Sequence, residues 1–123
     1  MAQVLLVDDS AVMLNEVSTY LEAHEISTLM AVDGQEGFDL IRQHGAIPLA
    51  IVDINMPVMD GMRMIEKVRR ELPQCQTRFV MLTTEFDRKC KERGKALGVR
   101  GWIIKPFRGD AAIVAIKKLL GDV

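Results

Sequence analysis

Two cysteines in 123 residues, Cys75 and Cys90, are too few and too widely spaced for a disulfide framework or a CxxC metal site. They read as reduced thiols. No apolar run approaches the roughly 18 residues of a membrane span, and no basic stretch leading into an apolar one marks a signal peptide. A cytoplasmic protein without a membrane partner is therefore expected. Basic charge is not in excess either: 16 Lys and Arg against 17 Asp and Glu leave a formal net charge of −1. A nucleic-acid-binding domain needs a strongly basic balance, and no helix-turn-helix is visible, so no nucleic-acid partner is expected. Repeats, low-complexity tracts and Pro/Gly/Ser linkers are also missing. One domain over residues 1–123 follows.

What is present is an ordinary globular composition, 49% hydrophobic and 27% charged, enough for a core without staples. The balanced charge conceals an asymmetry. Met1 to Asp60 holds ten acids and one base, Arg42, for a net of −9. Gly61 to Val123 holds fifteen bases and seven acids, for a net of +8.

Short apolar runs alternate with longer amphipathic stretches. Val4 to Val7 is wholly apolar, as a strand buried on both faces requires. Ser10 follows as a helix cap, and Val12, Met13, Leu14, Val17, Tyr20 and Leu21 recur at helical spacing. Ser27 to Val32 reads as a second strand, Gly34 to His44 as a second helix and Leu49 to Asp53 as a third strand. Pro57, Asp60 and Gly61 mark a loop before a third helix striped with Met62, Ile65, Val68 and Leu72. Phe79 to Leu82 is a fourth strand, and Asp87 to Leu97 a weak fourth helix closed by Gly98. Val99 to Ile104 is a fifth strand and Gly109 to Leu120 a closing helix. The pattern, (βα) five times, implies a doubly wound α/β fold with a parallel sheet covered on both faces. The working site of such a sheet lies beyond the carboxyl ends of its strands.

Those ends carry Asp8 and Asp9, Asp53, Thr83 and Thr84, and Lys105 before Pro106. Three converging carboxylates repel one another unless a cation joins them. An all-oxygen set with few carboxylates suits Mg²⁺, which keeps waters and bridges to phosphate. A lysine and a hydroxyl beside them fit an anion forming on a carboxylate, and a carboxylate nucleophile yields an aspartyl phosphate. The fourth helix, RKCKERGKALG, holds five bases and an internal glycine, so its intrinsic stability is marginal. Met56, Met59, Met62 and Met64 read as core filling, and His24 and His44 as residues at helix ends.

The segments LLVDDS (5–10), IVDINMPVMDG (51–61), MLTTE (81–85) and GWIIKPF (101–107) each sit at a predicted strand end. In that order they resemble the response regulator receiver domain of bacterial two-component systems, in particular its stand-alone chemotaxis type. The resemblance covers the whole chain and implies a flavodoxin-like five-stranded sheet in order 2-1-3-4-5. It implies that Asp53 accepts a phosphoryl group from a sensor histidine kinase. Asp9 and Asp53 would ligate Mg²⁺ with the backbone carbonyl of Asn55, Asp8 assisting. Thr83 would hydrogen-bond the phosphoryl group, Lys105 would pair with it, and the Lys105–Pro106 bond would be cis. Such a switch catalyses only its own phosphorylation and dephosphorylation. It would bind a downstream protein, for which the flagellar motor switch is the expected candidate, and act as a monomer.

Three positions depart from the family pattern or tune it. Trp102 stands where receivers place Tyr or another aromatic that swings inward, and its bulk favours an outward side chain marking the partner surface. Thr84 replaces a common Ala and narrows the entrance. Glu85, with Asn55, flanks the phosphate and tunes the attack of water, implying a short-lived phosphoryl group. Rival readings fare worse. A flavin carrier needs a glycine- and hydroxyl-rich loop after strand one, where this chain has Asp8-Asp9-Ser10. An aspartate-nucleophile phosphatase needs D-x-D there, and the two aspartates are adjacent. A phosphate sink without a target, and a receiver cut from a longer regulator, stay open.

Overall fold

The structure, a computed structural model, describes residues 2–84 and 88–121. Five strands alternate with five helices: β1 (Val4–Val7), α1 (Ala11–Ala23), β2 (Thr28–Ala31), α2 (Gly34–His44) and β3 (Leu49–Asp53) come first. Then follow α3 (Gly61–Glu71), β4 (Arg78–Thr83), α4 (Arg88–Ala96), β5 (Gly101–Ile104) and α5 (Gly109–Gly121). All strand pairs are parallel, in order β2-β1-β3-β4-β5, so the flavodoxin-like order is present. The predicted start of α4, Asp87, lies outside the described residues.

The wholly apolar strands are explained by the two cores they separate. Alternate residues of a strand face opposite sides. Leu5 and Val7 of β1, Ala50 and Val52 of β3, and Phe79 and Met81 of β4 pack with Phe38, Ile41, Met64, Ile65 and Val68 from α2 and α3. Val4 and Leu6, Leu49 and Ile51, and Val80 and Leu82 pack on the other side with Leu14, Val17, Leu21, Ala112 and Ile116 from α1 and α5. Met62 and Met64 are buried and Met56 and Met59 lie against the same core, as gap fillers do.

Helix starts are set by side-chain caps: Ser10 accepts from Met13 N, Asp33 from Glu36 N and Asp60 from Arg63 N. Helix α4 buries only Gly94 among its residues, consistent with its weak intrinsic propensity. A Cβ at Gly94 would meet Trp102 Cζ2 at 2.8 Å, so the glycine that weakens the helix is what lets the indole lie against it. Trp102 is half-buried on α4, where the sequence led us to expect it to point outward. Gly98, at φ 82°, ends the segment as expected.

Candidate functional site

Register fixes what reaches the carboxyl edge. Val7 pairs with Val52, Asp53 with Leu82, and Thr83 with Ile104. The next residues, Asp8 after β1 and Lys105 after β5, therefore leave the sheet at one edge, with Asp53 closing β3. Lys105 N–H donates to Thr83 O at 2.8 Å, continuing the β4–β5 pairing to the lysine. The Lys105–Pro106 peptide bond is cis.

Asp8, Asp9 and Asp53 offer carboxylate oxygens that all lie within 4.8 Å of one another. Asp8 and Asp53 are buried, at 2% and 6% exposure, and Asp9 is exposed. Lys105 Nζ stands 3.0 Å from Asp8 Oδ2 and 3.4 Å from Asp53 Oδ2. Burial, then repulsion from Asp8, raises the pKa of Asp53 above the ordinary carboxylate range, against the pull of Lys105. Burial works against the charge of Lys105, but its contacts with Asp8 and Asp53 outweigh that and raise its pKa. The site is a cluster of negative charge bridged by one ammonium.

A hard cation fits this donor set. Asp8 Oδ1 accepts from Ser10 N at 2.9 Å, which fixes the carboxylate, while Oδ2 is buried with no hydrogen-bond donor aligned on it among the described residues. Lys105 Nζ, 3.0 Å away, is the cation that Oδ2 meets. A buried oxygen left in that state among carboxylates is what a metal ligand presents before its ion.

The loop after β3 is shaped around Asp53. Gly61 donates to Ile54 O at 2.9 Å, and a Cβ on Gly61 would lie 2.2 Å from the carbonyl oxygen of Asp53. Only glycine allows that approach. Within the loop Val58 has φ 68°, and Met59 N–H donates to Pro57 O at 2.7 Å, a strained γ-turn for a β-branched residue. Thr83 is buried at the end of β4, and Asn55 and Thr84 are exposed beside the edge; Glu85 lies outside the described residues. The sequence reading missed that Lys105 bridges Asp8 as well as Asp53. Its signal is only the strand register, which brings β1 and β5 to one edge.

The strand order and the carboxylates at its switch point define the class, a flavodoxin-like α/β domain with an acidic site at its carboxyl edge. The chain belongs to the response regulator receiver domain family, which matches residues 4–117. That family is one of phosphorylation-operated signalling domains of two-component systems, not of classical enzymes. Among curated proteins the chain is 32% identical over 122 residues to the probable chemotaxis protein CheY of Rhizobium etli, covering 97% of this chain and 92% of that one. It is 31% identical over 119 residues to the response regulator GtcR of Aneurinibacillus migulanus, of which it spans 47%. Among solved structures, the Vibrio cholerae chemotaxis protein CheY4 superposes with a TM-score of 0.87 at 35% identity, over 97% of this chain and 98% of that one. Among the described residues no helix is long and apolar enough to cross a membrane.

Proposed function

We propose that the chain is one receiver unit over residues 1–123, in which Asp53 accepts a phosphoryl group from a phosphohistidine of a sensor histidine kinase. The observation that carries this is the placement of Asp53: buried, closing the central strand, and facing Lys105 across a cluster with Asp8 and Asp9. An Asp53 carboxylate oxygen forms the new O–P bond as the P–N bond to the donor imidazole breaks. The imidazole keeps the electron pair and takes up a proton. The charge on Asp53 is already held against burial and the repulsion of Asp8, and the phosphoryl group brings further negative charge that cations at the site must offset. Lys105, already placed against Asp53, follows the negative charge onto the phosphoryl oxygens, and the Thr83 hydroxyl donates to one of them. Asp8, Asp9, Asp53 and the backbone carbonyl of Asn55 would hold Mg²⁺, which would supply the neutralisation that lets a phosphate approach carboxylates.

Output leaves through Thr84, Glu85 and Trp102. Trp102 packs on Gly94, so a shift of α4 carries the indole with it. The partner is a downstream protein, in a chemotaxis or motility pathway by likeness to the CheY relatives, met in the cytoplasm by a monomer. A second reading, a receiver that works inside a longer regulator, is supported by the match to GtcR, of which the chain spans 47%.

The test is incubation with Mg²⁺ and a small-molecule phosphodonor, read by intact mass. Wild type should gain one phosphoryl group, chelation should abolish the gain, and Asp53→Ala should show none. Equal phosphorylation of Asp53→Ala and wild type overturns the assignment.

A further inference from the structure

At the opposite edge of the sheet, where β3 and β4 begin, lies a cavity of about 690 Å³. Its charged lining is Arg69, Arg78 and Arg100, and among the described residues no Asp or Glu borders it. Helix carboxyl ends gather at this edge, and their partial negative charge opposes an anion. Here two arginines have already covered the exposed carbonyls. Arg69 Nε donates to Leu97 O at 3.0 Å beyond α4, and Arg78 Nη1 donates to Leu119 O in the last turns of α5. Arg69 also lies over the ring of Phe79, 5.2 Å from its centroid.

These contacts do more than cap helices. They hold two guanidiniums in place, so little side-chain freedom remains to be lost when a ligand arrives. The Arg69 guanidinium, bonded to Leu97 O through Nε, keeps its two terminal nitrogens, a pair suited to two oxygens of a phosphate. Arg100, exposed and without an ion pair among the described residues, adds a third positive charge at the mouth.

We infer that this cavity binds a small polyanion bearing adjacent phosphates, as inorganic pyrophosphate or as the diphosphate of a nucleotide. The site is separate from the acidic cluster and does not rest on phosphorylation of Asp53.

Protein freed of metal on a chelating resin would be titrated with pyrophosphate, ADP and citrate, by calorimetry and by amide resonances. Pyrophosphate is expected to bind and to shift Gly98 and Gln76, and stronger binding of ADP would identify the nucleotide as the source. Arg100→Ala should weaken binding about tenfold, the scale of one charge-assisted contact. Gln76→Glu, which puts a carboxylate on the exposed rim, should abolish it. Lys89→Ala, a basic change on α4 outside the cavity lining, should leave it intact. Absence of shifts at millimolar pyrophosphate, citrate binding as tightly as pyrophosphate, or equal losses in Arg100→Ala and Lys89→Ala would each overturn the proposal.

Discussion

The two edges of this sheet treat charge in opposite ways. At the carboxyl edge two buried carboxylates and an exposed one crowd within 4.8 Å, with a single ammonium between them. At the amino edge Arg69 and Arg78 each reach a carbonyl oxygen at a helix end. The second arrangement matches charge to acceptor and stabilises the fold. The first sets like charges together and is strained electrostatically; the completely buried strands on which it stands tolerate that cost. The difference separates charges that hold the chain together from charges that are held at a cost to it.

Mutations can sharpen or break this contrast. The largest effect should come from Lys105→Ala in metal-free solution, which leaves two buried carboxylates uncompensated and should cost about 3 kcal/mol in urea unfolding. Because the folded pKa of Lys105 is raised, its contribution is full below the ordinary lysine value and disappears as pH rises through the folded one. At the amino edge Arg78→Ala should cost about 1.5 kcal/mol by losing a charge-assisted bond to Leu119 O.

Asp53→Asn should do the reverse and stabilise the metal-free protein at pH 7 by about 1 kcal/mol, the ordinary scale of relieving one poorly compensated contact. The sign follows from its raised pKa. Wild-type Asp53 contributes stability that is present below the ordinary carboxylate value and lost as pH rises through the folded one. The advantage of Asp53→Asn should therefore grow across that rise and vanish in acid. A destabilised Asp53→Asn at pH 7 would break the contrast. The smallest effect belongs to Val58→Asn: asparagine tolerates positive φ better than valine, for a gain of about 0.5–1 kcal/mol in thermal unfolding.

Most of the fold is readable in the chain because the strands are short and wholly apolar and the helices carry regular stripes. Residues 4–7 and 49–53 are strands with the bounds their composition implies. The site residues are legible for the same reason, since each follows directly on such a run. What stays hidden depends on contacts between distant segments. That Trp102 lies on Gly94 is invisible in a helix whose glycine reads only as a weakness. The bond from Arg78 to Leu119 O spans 41 residues and leaves no local pattern. Asp33 as a cap is a missed local signal, an aspartate three residues ahead of Glu36. The charge division acquires a location: with strand order 2-1-3-4-5 the acidic half surrounds β2, β1 and β3, and the basic half β4 and β5.

The central claim is that the carboxyl edge stores charge for a reaction at one of its three aspartates. Borohydride reduces an acyl phosphate to an alcohol and so marks its position. Protein incubated with Mg²⁺ and a phosphodonor, then reduced and digested, should show homoserine in place of aspartate at residue 53 by peptide mass spectrometry. Homoserine at residue 8 or 9, with residue 53 unchanged, would contradict the account.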